Sequence, residues 1–317
     1  MKKREKRKWP IVLGIILLVL VTVVVAALLW LRSLAGEMEK KNAESLKKME
    51  LTHIEGVNDL EWEYGQSLRE EISEYHEKVG GDIFTEYVVY YPTALKEQYP
   101  VIVWGNGSQG TYLDYEAALK SLASYGFVVI GNDHELTGNG ETIYEMALYA
   151  EVLNAKADGI FYDKLDTTRI GVGGHSQGAC GAVNAVTMYE RSGELFKSLF
   201  TTSMPHQEMC VDRFGYWAYQ PEKIVIPYFA TSGVGDFDMS VAPLKSMKAN
   251  MDLLPENIPA VIARMKNADH NIVALPCGYM NAWFCWTLKG DRIAGGIFAA
   301  DGELMTNGSR WQDVEVK

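Results

Sequence analysis

Three observations predict an α/β fold with a mostly parallel sheet and helices on both of its faces. Short apolar runs rich in β-branched residues alternate with segments of helical spacing from about residue 84 onward, the alternation expected of parallel strands joined by crossover helices. One run, Ile170 and Val172, stops at Gly173-Gly174 and gives way after Gln177 to small residues at helical spacing (Ala179, Gly181, Ala182, Ala185), which reads as strand, sharp turn and helix. At 317 residues, 48% hydrophobic and 22% charged, the chain is long enough to bury the core such a fold needs.

The N-terminal stretch stands apart. Residues 1–10 form a basic segment, with six basic side chains between positions 2 and 8, and residues 11–31 are an apolar run interrupted only by Gly14, Thr22 and Trp30. As a helix that run spans about 30 Å, the thickness of a bilayer's hydrocarbon core. Trp9 and Trp30 fall where interfacial aromatics belong, and the basic cluster ahead of the span orients the N-terminus toward the cytoplasm. The expectation is a single transmembrane signal anchor that holds the body of the chain outside the cytoplasm. Secretion after cleavage near Ser33-Leu34-Ala35 is the alternative, although the apolar run exceeds the usual signal-peptide core of about 7–15 residues.

The net charge is −11, but the first 32 residues carry seven basic groups and one acidic, leaving 23 basic against 40 acidic beyond them, a net of −17. So acidic a body excludes nucleic acid as a partner. Residues 32–80, rich in Glu and Lys with sparse apolar positions, predict a charged helical stalk, and Gly80-Gly81 marks the start of a domain over 81–317.

Within that domain, strands are expected at 85–91, 101–104 and 127–132, helices at 115–125 and 142–157, then the strand and helix around Ser176. Further strands follow near 199–203, 224–232 and 260–265, with helices between and after. Of the four cysteines none forms C-x-x-C; Cys277 and Cys285 are near enough in sequence to be candidates for a bridge, and Cys180 is a small buried filler. No H-E-x-x-H or P-loop pattern occurs, so neither metal nor cofactor is predicted.

Gly174-His175-Ser176-Gln177-Gly178 fits G-x-S-x-G, in which a strained turn pushes a serine hydroxyl out toward substrate. A serine is a poor nucleophile until a base takes its proton, and the base needs an acid to fix its tautomer. On elbows of this kind the partners follow in the order serine, acid, histidine. His53, His76, His134 and His175 precede Ser176, and His206 leaves only Glu190 and Glu194 as acids. His270, just after the strand near 260–265, satisfies the order. The acid is expected after the 224–232 strand in Ser232-Gly-Val-Gly-Asp236-Phe-Asp238, with Asp236 first and Asp238 in reserve, while Asp269 adjoins His270 too closely to turn onto its ring.

A developing oxyanion needs two backbone N–H groups. The residue after the nucleophile, Gln177, supplies one, and the glycine-rich loop 105–110 supplies the other, expected from Ser108. The same loop offers a rival reading, since Gly105-x-Gly107-x-x-Gly110 after a strand, with Asp133 at the end of the next, matches a dinucleotide fingerprint. Against it, residues 111–114 separate the glycines from the next helix.

Taken together, Tyr99-Pro-Val-Ile-Val-Trp-Gly-Asn-Gly, Leu122-Ala-Ser-Tyr-Gly-Phe-Val-Val-Ile, Arg169-Ile-Gly-Val-Gly-Gly-His-Ser-Gln-Gly, the Gly233-x-x-Asp236 turn and Ala268-Asp-His270 resemble the α/β-hydrolase superfamily. The resemblance is to its dienelactone-hydrolase, chlorophyllase and polyester-hydrolase (cutinase-like) group, over roughly residues 84–289. It implies an eight-stranded α/β-hydrolase fold and hydrolysis of a carboxylic ester, of small-molecule or lipid-like type, through an acyl-enzyme, with Ser176, Asp236 and His270 matching the family triad. This chain departs from polyester hydrolases in having Ser108 where they carry an aromatic residue, Gln177 where they carry Met, and Pro205-His206 where they carry tryptophan before a histidine. The long segment 204–222, with Met204, Met209, Phe214, Tyr216, Trp217 and Tyr219, is expected to be a lid, a substrate wall or a packed loop. A domain of the same fold that only binds its ligand is the remaining alternative.

Overall fold

The structure, a computed structural model, describes residues 13, 14, 16, 17, 20–26, 30, 58–65, 69–214, 217–274 and 277–317. The chain divides into two units, Met1–Lys48 and Met49–Lys317. In the first, the described positions 13, 14, 16, 17, 20–26 and 30 are helical. The rest of the expected span 11–31, the basic segment 1–10 and positions 32–57 lie outside the described residues. Among the described residues no helix is long and apolar enough to cross a membrane.

The second unit opens with α1 (Asp59–Gly65), β1 (Ile72–Lys78), β2 (Glu86–Pro92), β3 (Tyr99–Gly105), α2 (Glu116–Ser124) and β4 (Val128–Asn132). There follow α3 (Glu141–Ala155), β5 (Leu165–His175), α4 (Gln177–Thr187), α5 (Ser192–Leu195), β6 (Phe196–Thr202), α6 (Gln207–Phe214) and β7 (Tyr228–Gly233). The chain ends with α7 (Asp236–Val241), α8 (Leu244–Leu253), β8 (Ala260–Met265), α9 (Gly278–Lys289), α10 (Arg292–Ile297), α11 (Glu303–Thr306) and β9 (Trp311–Val316).

The described strands form one sheet in the order β1-β2-β4-β3-β5-β6-β7-β8-β9. Strands β4, β3, β5, β6, β7 and β8 pair in parallel, and β1, β2 and β9 join antiparallel at the two sides. Both faces are covered, and β3 explains how. Successive side chains of a strand point to opposite faces, so Val101 and Val103 pack with Ile143 and Met146 of α3 and Val183 of α4. Ile102 and Trp104 pack on the other side with Leu119 and Leu122 of α2 and Tyr279 and Trp283 of α9. A strand buried twice has no polar face to show, which is why 101–104 is an unbroken apolar run.

The predicted stalk requires correction. Residues 72–78 are not helical but form β1, paired over its whole length with β2, and α1 belongs to the same unit, with Glu61 buried. Strand β1 carries charge because it is an outermost strand, the place where charged side chains block further pairing. The boundary at Gly80-Gly81 is a turn between two paired strands. Strand β9 was likewise not expected, so the sheet has nine described strands where the resemblance implied eight. Strand β7 begins at Tyr228, four residues later than expected. Pro221 opens a 3-10 turn over Pro221–Lys223, and Pro227 has no N–H to give to a neighbouring strand.

The arrangement fixes where chemistry is possible. Parallel strands β3, β5, β6, β7 and β8 finish on one rim, at Gly105, His175, Thr202, Gly233 and Met265. In open α/β sheets ligands bind outside the carboxyl ends of the strands, and every candidate residue singled out above sits on a turn that leaves that rim.

Candidate active site

Ser176 stands between β5 and α4 with φ 54° and ψ −126°, a conformation that L residues avoid. The turn persists because its neighbours leave no other path. A Cβ on Gly174 would lie 2.3 Å from the Gly178 carbonyl oxygen, and one on Gly178 would lie 2.2 Å from that of Gly105. Only hydrogen fits at either position, so helix α4 starts hard against the end of β3. The Ser176 N–H donates to the Thr202 carbonyl at 3.0 Å, which ties the turn to β6.

His270 arrives from the turn after β8. Its Nε2 lies 2.9 Å from Ser176 Oγ and its Nδ1 lies 2.7 Å from Asp238 Oδ1. The ring keeps some exposure, whereas the Asp238 side chain is wholly buried. The second oxygen of Asp238 accepts from Ser203 Oγ at 2.7 Å and from the Gly233 N–H at 2.6 Å. Burial alone would raise this carboxyl, but the His270 ring and those two donors outweigh it and hold it below the ordinary carboxylate range.

The carboxylate that meets the His270 ring is therefore Asp238, not the expected Asp236. Helix α7 begins at Asp236, and two residues along a helix is a rotation of about 200°, so Asp236 and Asp238 face opposite ways. Asp236 is exposed and Asp238 points inward at His270. A strand that runs straight into a helix was the missing signal, because a loop at 234–238 leaves the choice open and a helical turn does not.

Asp269, set aside as unable to reach the ring, proves to organise the pair through the backbone. Its Oδ1 accepts from the N–H of Asp238 at 2.8 Å and from the N–H of His270 at 2.9 Å. One carboxylate thus caps the helix that carries Asp238 and fixes the turn that carries His270. Nothing in the residue pattern marks it except its place next to the histidine.

The residue before the serine is a second one that sequence reasoning passed over. His175 is buried, with Nε2 2.7 Å from the His270 carbonyl oxygen and Nδ1 3.0 Å from the Tyr115 hydroxyl. Burial and the neighbouring His270 push this imidazole down to about 3, so it is neutral. A carbonyl can only accept, so Nε2 carries the proton, Nδ1 accepts from Tyr115, and the Tyr115 oxygen accepts the Gly107 N–H at 2.8 Å.

That chain anchors the loop 105–110 beside the serine. A Cβ on Gly107 would come within 3.3 Å of Ser176 Cβ, and Asn106 below it donates its amide to the carbonyls of Asn132 and His134. Ser108 follows Gly107 on the exposed side of the turn. Gln177 is the first residue of α4, and its buried side chain is turned to the neighbouring loop, accepting from the Gly138 N–H at 3.2 Å and donating to the Glu135 carbonyl at 2.6 Å.

Asp133, which a dinucleotide reading needs for a ribose, is already committed. Its carboxylate accepts from the Thr85 N–H, the Thr85 hydroxyl and the Glu86 N–H. Helix α2 also starts six residues beyond the third glycine rather than among the glycines. In the segment 204–222, Met204, Trp217 and Tyr219 are buried in the core, and His206 accepts the Met209 N–H at the start of α6. Phe214 and Tyr216 fall outside the side chains described.

A serine hydroxyl on an imidazole that rests on a buried carboxylate is an arrangement that moves a proton off oxygen. Residues 73–192 match a family model, PETase, described as PET hydrolase-like. Over this segment, 120 of the 317 residues, the chain is similar to that family. The PET hydrolase-like stretch runs from β1 through the elbow helix and takes in Ser108, Ser176 and Gln177; Asp238 and His270 lie beyond it. No curated protein matches the chain.

Proposed function

We propose that the protein is a serine hydrolase that cleaves a carboxylic ester through an acyl-enzyme. The observation that carries the reading is the continuous hydrogen-bonded line from Ser176 Oγ through His270 to the buried Asp238. His270 takes the hydroxyl proton as Ser176 attacks the ester carbonyl, and Asp238 holds the ring tautomer and stabilises the imidazolium. The N–H groups of Gln177 and Ser108 receive the oxyanion, Gln177 from the positive end of α4. His270 then passes its proton to the leaving alkoxide, and a water deprotonated by His270 releases the acid.

An exposed aromatic ring beside His270 supports an ester with a hydrophobic acyl or alcohol part. The Phe237 ring is 53% exposed and meets the His270 ring edge-on at 4.7 Å, so the base is flanked by an aromatic surface open to solvent. The basic segment and apolar run at the N-terminus support a location on a membrane, with the hydrolase domain outside the cytoplasm.

A fluorophosphonate probe tests the reaction, since it reacts with a serine only where a base activates it. The wild type should label and Ser176→Ala should not, and acyl esters of increasing chain length should then rank the substrate pocket. A wild type that stays unlabelled would sink the hydrolase reading and leave a binding protein of this fold.

A further inference from the structure

Cys277 and Cys285, the pair nearest in sequence, stand just before α9 and within it. Eight residues of helix put about 12 Å between them, beyond the span a disulfide can bridge. The other two cysteines, 30 positions apart, are together in space. Cys180 Sγ and Cys210 Sγ are 3.7 Å apart, and neither side chain has exposed surface. Cys180 is one helical turn past Ser176 on α4, and Cys210 is on α6 in the packed segment after β6. Within that segment the Tyr219 hydroxyl donates to the Pro205 carbonyl at 3.0 Å, the Gln207 amide donates to the Tyr219 carbonyl at 3.3 Å, and Cys210 Sγ lies 3.7 Å from the Pro205 carbonyl oxygen.

We infer that Cys180 and Cys210 are a cross-linking site, joined by a disulfide when the protein folds in an oxidising compartment, and that the bond fastens α6 to the nucleophile's helix. The sulfurs are in van der Waals contact, and closure to the bond length of about 2.05 Å is a short approach along a line with nothing between them. The oxidant is a disulfide of low molecular weight or of a protein oxidase. The Cys210 thiolate attacks one of its sulfurs and expels a thiolate; the Cys180 thiolate then attacks the mixed disulfide at the Cys210 sulfur and expels the second. Two thiols lose two protons and two electrons, and the oxidant's disulfide becomes two thiols. Burial pushes the Cys180 thiol up, so the exchange belongs to folding, before the helices close over the pair, and the finished bond is shielded from reductants.

The loop so closed, about 30 residues, contains β6 and the turn with Ser203, the donor to Asp238. Cross-linking its ends restricts the unfolded chain and fixes α6 against α4.

The full chain is to be reduced, unfolded, refolded with oxidised glutathione, then denatured, alkylated with iodoacetamide and digested for mass spectrometry. The expected result is alkylation of Cys277 and Cys285 only, with the Cys180 and Cys210 peptides joined at about 2 Da below the sum of their reduced masses. The oxidised protein should melt about 5–10 °C above the reduced one, and Cys180→Ser/Cys210→Ser should show no change with oxidant. Four alkylated cysteines, or a bridge that uses Cys277 or Cys285, would overturn the inference.

Discussion

The ring of His175 is hydrogen-bonded to the backbone carbonyl of His270 at 2.7 Å, so the residue before Ser176 supports the turn that presents the His270 ring to it. Through Tyr115 the same ring also reaches the Gly107 N–H, and the loop 105–110 and the turn that carries His270 are tied by one neutral imidazole. The proton order along this line is forced at each step, since the carbonyl only accepts and the backbone N–H only donates.

Tyr115→Phe removes one hydroxyl from that line and leaves the Gly107 N–H and His175 Nδ1 without partners. Both are buried, so the variant should lose about 1–3 kcal/mol of stability. Because the loop 105–110 then shifts relative to Ser176, kcat should fall about tenfold or more with KM little changed, the signature of an interaction used in the transition state. Steady-state kinetics on a chromogenic ester, with urea denaturation alongside, check both numbers.

The acid assignment separates two residues of the same type two positions apart. Asp238→Asn keeps the shape but takes away the charge that fixes His270, and kcat should drop about 10³–10⁴-fold. Asp236→Asn, on the exposed side of α7, should stay within about twofold of wild type. Equal losses in the two variants would count against the geometry described for His270.

Acid stability follows from His175. In the unfolded chain its imidazole titrates near 6.5, and in the folded protein burial and His270 hold it at about 3. Between those values the unfolded state binds a proton that the folded state refuses, so stability is complete above about pH 6.5 and falls as the pH drops, by up to about 1.4 kcal/mol per pH unit for this one group. The Asp238 carboxyl, lowered in the folded state, adds to the loss in the same direction at still lower pH. Unfolding free energies measured from pH 7 to 4 should therefore show a shallower slope in His175→Gln than in wild type, whatever the variant's stability at pH 7.

Much of this was legible in the residues. The glycines at 174 and 178 and the order serine, acid, histidine pointed to Ser176 and His270, because a sharp turn and a fixed chain order leave marks in one dimension. The choice between Asp236 and Asp238 did not, since it depends on the helix that begins at Gly235 as its cap, a boundary two residues wide. Asp269 was invisible for another reason: its partners are backbone N–H groups, which every residue has, so no spacing singles it out. Tyr115 meets one backbone N–H and one side chain 60 positions away, and no local pattern marks either. Strand β1 was hidden because an outermost strand may carry charge on both faces, and Ile72-Ser-Glu-Tyr-His-Glu-Lys then reads like a solvated helix.

Gly178→Ala tests the close approach at the elbow. A methyl group there would lie 2.2 Å from the Gly105 carbonyl oxygen and 2.4 Å from that of Asn106, both backbone atoms that cannot rotate away. Helix α4 must then lift from β3, at a cost of about 1–3 kcal/mol, and carry the Gln177 N–H with it. The expected outcome is a folded, less stable protein whose fluorophosphonate labelling rate falls sharply, whereas Gly193→Ala, with open space around it, should behave as wild type in both assays.

The corrected domain boundary makes a prediction of its own. A chain that starts at residue 81 would match the turn at Gly80-Gly81 but lacks β1 and α1. It would leave β2 as a bare strand of apolar residues on the outside of the sheet. It would also remove Glu61, which is buried against Arg310 and accepts from Asn307 at 2.9 Å and from the Trp311 indole N–H at 3.1 Å. Burial raises the Glu61 carboxyl and Arg310 draws it back down, so the Glu61 charge is held in the interior by Arg310 beside it. Loss of one partner of such a pair costs about 3–5 kcal/mol, before the exposed strand is counted. Chains that begin at residue 49 and at residue 81 should accordingly differ: the first gives a cooperative thermal transition and labels with fluorophosphonate, and the second aggregates or melts without a transition.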